Sequence, residues 1–245
     1  MTRPDPRPHP DVFDAFAPEY DRALDEGLSV SGENRAYFAT QRVRWLAGMM
    51  RRMNVRCRNV LDFGCGTGAA TPQLLNLPGA ERVLGVDTSA RSIEIAQASH
   101  ARDNVRFAVG GCAAPENEFD LVFCNGVFHH IRPPARPDAI ATIRRALRPG
   151  GWIALWENNP WNPGTRYVMS RIPFDRDAVP LSSRQTRRLV QNGGLLHVRT
   201  DFLFIFPRAL RWLRPIERRM TRLPAGAQYQ VLCRKPDAAI GGTLG

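Results

Sequence analysis

The sequence predicts an α/β fold built on a mostly parallel sheet, and two observations support that prediction. Short apolar runs alternate with segments of helical periodicity between Asn59 and Glu157. Most of these runs close at Gly, Asp or Asn, which are residues that favour turns. Strands that alternate with helices form parallel βαβ units with right-handed crossovers.

The individual elements follow from periodicity and from the turn residues that bound them. Strands are predicted at 59–64, 82–87, 105–110, 119–126, 151–158, within 195–206, and at 227–235. Helices are predicted at 33–53, 69–77, 89–102, 137–147 and 181–191. Residues 159–180 are rich in turn formers and aromatics, so an irregular segment is predicted there. Long irregular segments at strand ends tend to be functional.

A chain of 245 residues is most simply one domain. The predicted division is a disordered lead-in at 1–10, a domain at 11–235 and a flexible tail at 236–245. Within the domain we expect a helical cap at 11–55 and lid insertions at 157–180 and 203–224. The start is proline-rich and lacks the apolar centre of a secretory signal, and no apolar run is long enough to span a bilayer. A cytoplasmic protein is therefore expected.

The cysteines suggest neither a disulfide framework nor a zinc cluster. Their number is five, which is odd, and no two form a Cys-x-x-Cys pair. A reducing compartment and no metal site are the corresponding expectations.

The charge leaves two interpretations open. The formal net charge is +11, and basic residues are concentrated between Arg184 and Arg222. Such a segment is typical of a surface that binds phosphate or anionic lipid. Lys235 is the only lysine, however, and this preference for arginine is equally typical of a GC-rich genome and a merely solvated basic face.

A glycine-rich loop is the first candidate for function. Gly64, Gly66 and Gly68 follow the first strand, where ligands of parallel sheets bind. Asp87 ends the second strand about 20 residues later, the usual place of an acid that binds ribose hydroxyls. This order predicts a nucleoside-containing cofactor.

Asp62 helps to choose between two cofactors. A carboxylate just before the glycines would repel the pyrophosphate of NAD. S-adenosylmethionine has no phosphate and carries an ammonium group that an acid can bind. The residues favour S-adenosylmethionine, while a nicotinamide reductase and a loop-capping role for Asp62 remain alternatives.

Four stretches then resemble the motifs of class I S-adenosylmethionine-dependent methyltransferases. They are "VLDFGCGTG", "VLGVDTS", "FDLVFCNGVFHHI" and "ALRPGGWIALWE", and together they cover about 59–157. The resemblance implies a Rossmann-like, doubly wound, seven-stranded sheet, mostly parallel with the last strand antiparallel and with helices on both faces. The later stretches "ENNPWNPGTRY", "FLFIFPRALRWLRPIERRM" and "GAQYQV" resemble a bacterial subgroup of these enzymes that is related to the quinone-type branch, which acts on small molecules or lipids.

The same resemblance assigns residues to the cofactor. Asp62, Gly64, Gly66 and Gly68 would surround the methionine part, Asp87 the ribose, Thr88 the adenine, and Asn125 and Gly126 the methionine end. Gly111 stands where the family usually has an acid that reaches the adenine amino group. Adenine contacts are therefore predicted from the backbone at Gly111 and Cys112.

The acceptor pocket of this family is built from the N-terminal segment, the loop after the fourth strand and insertions after the fifth. His129 or His130 is predicted to accept the proton of a hydroxyl acceptor, with Glu157 as a second candidate base. A histidine that merely hydrogen-bonds a neighbouring loop is the alternative. The predicted substrate contacts are Tyr20, Asn158, Trp161, Tyr167, Phe174 and, for an anionic group, Arg171.

The resulting hypothesis is methyl transfer to a small-molecule or lipid-like acceptor, with oxygen as the expected methylated atom. The segment 202–223 interleaves aromatic and arginine residues, which is typical of a peripheral contact with an anionic membrane or of a packed helix with a solvated face. Two alternatives remain, RNA methylation and a catalytically silent binding protein. A nucleic-acid partner is not expected, because "NGVFHHI" stands where base-methylating enzymes often show an Asn-Pro-Pro-Tyr-like stretch.

Overall fold

The computed structural model describes residues 24–110, 114–172, 175 and 178–237. The strands are β1 (Asn59–Phe63), β2 (Arg82–Asp87), β3 (Val105–Val109), β4 (Phe119–Asn125), β5 (Leu147–Asn158), β6 (Leu196–Leu203) and β7 (Gln228–Arg234). The α-helices are α1 (Arg35–Arg52), α2 (Ala90–His100), α3 (Arg136–Ala146), α4 (Pro163–Arg171), α5 (Ser183–Asn192) and α6 (Arg214–Met220). Short 3₁₀ helices lie at Ser29–Ser31, Thr71–Asn76, Pro133–Ala135 and Arg208–Leu213.

The seven strands form one sheet in the order β3-β2-β1-β4-β5-β7-β6. Strands β1 to β5 pair in parallel, and β7 runs antiparallel to both β5 and β6. The strand order reverses between β1 and β4, which is where parallel sheets of this kind bind ligands. The predicted Rossmann-like, doubly wound sheet with an antiparallel last strand is confirmed.

Alternate residues of the strands supply two separate apolar layers. Leu61 packs into one buried cluster and its neighbour Val60 into the other, since successive strand side chains point to opposite faces. Helices α3 and α5 cover the first face, and α1 covers the second through residues such as Leu46. Helices therefore lie on both faces, and the sheet holds the β1 and β4 ends in fixed positions.

Two predicted elements differ from the structure. Residues 69–77 do not form an α-helix but a 3₁₀ helix at Thr71–Asn76, which ends at the extended residue Leu77 because a residue that precedes a proline, here Pro78, disfavours the helical conformation. The segment 159–180 was predicted to be irregular but contains α4. Asn162 caps this helix by accepting from the Thr165 N–H at 2.9 Å, and Pro163 occupies its first turn.

The predicted division of the chain can be compared with the structure only for the described residues. Residues 1–23 and 238–245 lie outside the described residues, and with them the predicted lead-in and most of the predicted tail. Within the predicted cap, residues 24–28 and α1 are helical. Among the described helices, none combines the length and the apolar composition that a membrane span requires.

Candidate active site

The glycine-rich loop between β1 and Thr71 is shaped by left-handed backbone conformations. Gly64, Gly66 and Gly68 have φ values of +73°, +53° and +81°, which favour glycine. A Cβ at Gly64 would lie 2.3 Å from a methyl group of Val127, so this position requires glycine. A Cβ at Gly66 would meet nothing within 4 Å. The backbone at Gly66 therefore faces open space that a ligand can enter.

Two aspartates border this loop. The carboxylate of Asp87 accepts from the Gly66 N–H and the Ser89 N–H, both at 2.9 Å, and so ties the loop to the end of β2. Asp62 is buried and accepts from the Thr71 hydroxyl at 2.7 Å. Burial raises the pKa of Asp62 to about 7, although the Thr71 hydrogen bond opposes the shift. Thr88 follows Asp87 and is exposed.

The end of β4 lies beside the same loop and presents an unsatisfied acceptor. The Gly126 N–H donates to the Trp156 carbonyl at 2.9 Å, and Gly126 has a φ of +69°. The side-chain oxygen of Asn125 is buried and has no hydrogen-bond partner among the described residues. A buried acceptor without a partner is costly, so this oxygen suits a donor supplied by a ligand.

These groups fit S-adenosylmethionine better than a dinucleotide. Asp62, with a pKa near neutrality, can pair with an ammonium group, and the Asn125 oxygen can accept from one. A pyrophosphate at the same place would face the Asp62 carboxylate. Gly111 and Cys112, the predicted adenine contacts, lie outside the described residues.

A cavity of about 350 Å³ opens next to Asn125 and Gly126. Its walls are largely apolar and come from the N-terminal segment, α1, α4 and the stretch that follows β6. The apolar and aromatic residues among them are Leu24, Leu28, Val30, Tyr37, Phe38, Val168, Met169, Ile172, Phe204, Ile205, Phe206 and Pro207. Phe38 and Phe204 stack edge to face with their ring centroids 4.9 Å apart, which joins two of these walls.

A buried polar cluster forms part of this cavity wall. His129 Nδ1 lies 2.6 Å from Glu157 Oε2, and the other Glu157 oxygen accepts from the Phe128 N–H at 2.7 Å. Asp175 Oδ1 lies 3.6 Å from His129 Nε2 and 3.4 Å from His130 Nε2. The structure thus brings the predicted His129, His130 and Glu157 together and adds Asp175, which the sequence analysis missed.

Burial and the carboxylates act on the two histidines in opposite directions. Burial by itself lowers the pKa of His129, but Glu157 and Asp175 outweigh it and raise that pKa to about 10. Burial, assisted by the charge of His129, lowers the pKa of His130 to about 2. Arg136 fixes the loop that carries both rings, because its Nε donates to the Phe128 carbonyl at 3.1 Å and the Ile131 carbonyl at 2.9 Å.

The other predicted substrate contacts divide into two groups. Asn158 lines the cavity, and its side-chain oxygen accepts from Gln228 at 3.0 Å. Tyr167 and Arg171 do not line it: they pair with each other on the outer face of α4, with the Arg171 Nη2 donating to the Tyr167 hydroxyl at 2.8 Å. Trp161 is 62% exposed and is also outside the lining.

The prediction chose the outer residues of this segment because it did not foresee α4. On a helix, residues three or four apart share a face, so Thr165, Val168 and Met169 point to the cavity while Tyr167 and Arg171 point away. Tyr20 and Phe174, the remaining predicted contacts, lie outside the described residues.

Two further lining residues were missed by the sequence analysis. The Nη1 of Arg42 donates to the Gln228 side-chain oxygen at 2.7 Å, and both side chains line the cavity. Arg42 is one of many arginines, and Gln228 lies far from it in the chain, so no local pattern signals the pair. Asp175 had a weak signal, as an acid directly after an aromatic residue within a turn-rich segment.

The region that carries the glycine-rich loop and the two histidines matches a known protein-family model. Residues 60–151 match the model described as a methyltransferase domain, and they contain β1 to β4, the glycine loop and the two histidines. This match covers less than half of the chain and indicates a methyltransferase domain in that region. S-adenosylmethionine, the cofactor that the groups around the loop fit, is consistent with such a domain.

Curated relatives match the same region. A "Probable methyltransferase" of Aspergillus luteorubrus is 33% identical over 108 residues, covering 39% of this chain and 38% of its own. A trans-aconitate 2-methyltransferase of Deinococcus radiodurans is 36% identical over 39% of this chain and 36% of its own. A tRNA U34 carboxymethyltransferase of Cellvibrio japonicus is 31% identical over 46% of this chain and 36% of its own. The chain thus spans little more than a third of each of these relatives.

The likeness in structure extends further along the chain. A SAM-dependent methyltransferase of Thermotoga maritima, described as a "possible histamine N-methyltransferase", aligns with a TM-score of 0.64 over 92% of this chain and 98% of its own. The identity is 18%, so this likeness concerns the fold.

Proposed function

We propose that this methyltransferase domain transfers a methyl group to an oxygen atom of a small-molecule or lipid-like acceptor. The observation that supports the proposal is one cavity with mostly apolar walls and a polar region formed by His129, His130 and Asp175. Such a cavity suits an apolar molecule that carries a hydroxyl group. Asn125 and Gly126 line the same cavity, so acceptor and cofactor would meet at the end of β4.

In this proposal the chain chiefly positions its ligands. S-adenosylmethionine, when bound, supplies a methyl group that its sulfonium activates. Asp62 and Asn125 would hold the methionine end, Gly66 would leave room for close approach, and Asp87 would contact the ribose. The apolar walls would exclude water, and alignment of the acceptor would supply much of the rate enhancement.

The polar cluster would orient the acceptor hydroxyl and draw its proton. Glu157 is held by the Phe128 N–H and in turn fixes the His129 ring through Nδ1. His129 Nε2 and His130 Nε2 are thereby directed to the same oxygen of Asp175. His129 is protonated near neutral pH because its pKa is about 10, so the acceptors beside such a hydroxyl are the Asp175 carboxylate and the neutral His130 ring.

The segment after β6 supports a lipid-like acceptor delivered from an anionic membrane. Trp212 is 71% exposed, and Leu210 and Ile216 are exposed beside it. Residues 208–222 carry six arginines and one glutamate, and their near neighbours Phe204 to Pro207 line the cavity. An exposed tryptophan among arginines is typical of a membrane-surface element.

RNA methylation is the second candidate, because the net charge is +11 and one relative is named as a tRNA-modifying enzyme. A polynucleotide substrate requires basic and stacking groups, and the lining does include Arg35, Arg42 and Arg214 with aromatic rings such as Tyr37. The small-molecule proposal is preferred because the cavity walls expose more apolar than polar surface. A catalytically silent binding protein is the third, since the same cavity can hold ligands without turnover.

Radiolabelled S-adenosylmethionine offered with fractionated lipids, metabolites and RNA separates these candidates. We expect the label in a lipid or metabolite fraction, as the methyl group of an ether, which withstands mild base. Label confined to RNA at moderate salt would replace the proposal with the second candidate. Calorimetric binding of the cofactor with no labelled product in any fraction would support the third.

A further inference from the structure

The polar region of the cavity gathers three side chains with metal-binding atoms. His129, His130 and Asp175 each place one donor atom so that all three lie within 4.8 Å of one another. Two imidazoles and one carboxylate are the ligands that zinc and related divalent ions prefer. The three side chains line a cavity rather than the outer surface, and His129 and Asp175 are buried.

The distances between these donors suit a shared cation better than direct hydrogen bonds. Asp175 Oδ1 lies 3.6 Å from His129 Nε2 and 3.4 Å from His130 Nε2, both longer than a good nitrogen–oxygen hydrogen bond. Ligands about 2.0–2.1 Å from a tetrahedral zinc ion are about 3.3–3.4 Å from each other. These two spacings are therefore close to the edges of a zinc tetrahedron, and the third, between the two histidine nitrogens, is within 4.8 Å.

The second ring nitrogen of His129 is held as in known metal centres. Its Nδ1 lies 2.6 Å from the Glu157 carboxylate, whose side chain is fully buried and anchored by the Phe128 N–H. A histidine that ligates through one nitrogen commonly donates through the other to a carboxylate, which sets its orientation and raises its basicity. Glu157 is thus placed to orient His129 without touching the ion.

The local charge also favours a cation. Glu157 and Asp175 place two carboxylates in the interior, with side chains 0% and 5% exposed. A divalent ion at the three donors would take the place of the proton that His129 holds between these two carboxylates. Buried charge is costly unless it is paired or coordinated to a metal.

We propose that His129, His130 and Asp175 bind one divalent ion of the zinc type, with Glu157 as the positioning residue behind His129. Three protein ligands leave a fourth position, as in zinc sites that bind a substrate or water. This position opens to the cavity and would take the acceptor oxygen. That last role rests on the proposed function, whereas binding of the ion does not.

The test uses the full chain after treatment with a chelator and dialysis. Titration with Co²⁺, which replaces Zn²⁺ and is coloured, should give one equivalent of a strongly absorbing tetrahedral species that Zn²⁺ displaces. His130→Gln and Asp175→Asn should each weaken the binding of Zn²⁺ at least 100-fold by calorimetry. Glu157→Gln, which removes only the orienting carboxylate, should weaken it about 10-fold.

His197→Gln is the matched control, because His197 is a half-buried histidine on β6 that does not line the cavity. It should bind Co²⁺ as the wild type does. Absence of a saturable one-to-one Co²⁺ species in the wild type would overturn the inference, whatever the variants do. So would an unchanged Co²⁺ spectrum in a folded Asp175→Asn protein.

Methyl transfer, measured with and without chelator, separates this inference from the proposed function. Metal binding without methyl transfer would contradict the proposed function alone. Methyl transfer that persists in the chelated protein, together with no Co²⁺ species, would contradict the metal site alone.

Discussion

The two ends of the cleft are built in different ways. The cofactor end consists of neighbouring residues: Asp62 to Gly68 form one loop, and Asp87 joins it from the next strand. The acceptor end is assembled from the loop after β4, the end of β5 and Asp175, which lies 45 positions beyond His130. The first end is therefore encoded locally, and the second exists only in the folded chain.

The interactions that hold the two ends differ accordingly. At the cofactor end, backbone hydrogen bonds hold the loop against β2: the Gly64 and Cys65 N–H groups donate to the Val86 carbonyl at 2.8 and 3.0 Å. At the acceptor end buried charged side chains hold one another. Substitutions should therefore affect cofactor affinity mainly at the first end, and the stability of the fold at the second.

Glu157→Gln should have the largest effect on stability. The substitution leaves His129 without its buried counter-charge, and breaking a buried ion pair costs about 3 kcal/mol or more of the free energy of unfolding. Urea denaturation measures this change. Glu118→Gln removes an exposed acid and should alter the same free energy by less than about 0.5 kcal/mol. Equal effects of the two substitutions would contradict the contrast between the two ends.

Two glycines of the loop provide a matched pair at the other end. Gly64→Ala places a methyl group 2.3 Å from Val127 at a left-handed φ, so we expect a loss of about 2 kcal/mol in stability. Gly66→Ala meets no protein atom within 4 Å, so the cost should be only the backbone strain of about 1 kcal/mol. Its methyl group would point into the space assigned to the cofactor.

Calorimetry with S-adenosylmethionine and thermal unfolding together check the pair. We expect Gly66→Ala to weaken cofactor binding by about tenfold or more, equivalent to about 1.4 kcal/mol. Wild-type affinity in Gly66→Ala would show that the open space at this position is not part of the cofactor site.

Asp62 should make cofactor binding depend on pH. Its pKa is raised from 3.8 to about 7, so the carboxylate that pairs with the ammonium becomes abundant only as pH rises. Affinity should increase by up to about eightfold between about pH 6 and 7.5, because the ionised fraction of a carboxyl with a pKa of about 7 rises from about 0.09 to about 0.76. In the free protein the same shift has the opposite sign for stability, which falls as pH rises from about 4 to 7 because the folded state holds the proton more tightly.

Asp62→Asn is the control for this dependence, since an amide of similar size does not titrate. It should bind more weakly than the wild type at pH 7.5 and show a flat profile. A wild-type affinity that does not change across this range would place the ammonium elsewhere.

The sequence predicted the sheet and the cofactor end well because their signals are local. Strand periodicity and closing turn residues located the seven strands, and the spacing of Gly64 to Asp87 predicted a nucleoside-binding loop. The acceptor end was predicted less completely. His129, His130 and Glu157 were named, but Asp175 and the Arg42–Gln228 pair required knowledge of which distant segments meet.

The missed helix α4 shows the same limit at a smaller scale. Asn162 followed by Pro163 is a helix-start signal, but turn formers on both sides hid it. Without the helix, Tyr167 and Arg171 could not be assigned to its outer face. Which residues of this segment face the cavity therefore depends on a short helix, α4, that forms part of the cavity wall.

The smallest expected effect concerns the exposed basic segment near the cavity. Trp212→Ala should weaken binding to vesicles that contain anionic lipid, measured by sedimentation, by a few-fold, because one interfacial aromatic side chain contributes about 1 kcal/mol or more to membrane binding. The free energy of unfolding should change by less than about 0.5 kcal/mol, because the side chain is exposed. Leu196→Ala is the control, because Leu196 is also exposed and apolar but lies on β6, outside the basic segment, and it should leave vesicle binding unchanged. Equal vesicle binding by the Trp212→Ala protein and the wild type would contradict the proposed membrane contact.

The most direct test of the account measures both ends of the cleft in one protein. Wild type and His130→Gln would be compared for binding of S-adenosylmethionine by calorimetry and for methyl transfer from the labelled donor to a lipid and metabolite extract. We predict equal cofactor affinity within about twofold, and labelled product from the wild type only. Equal labelling by a folded His130→Gln protein, or label that enters RNA alone, would contradict the assignment of this cavity to the acceptor.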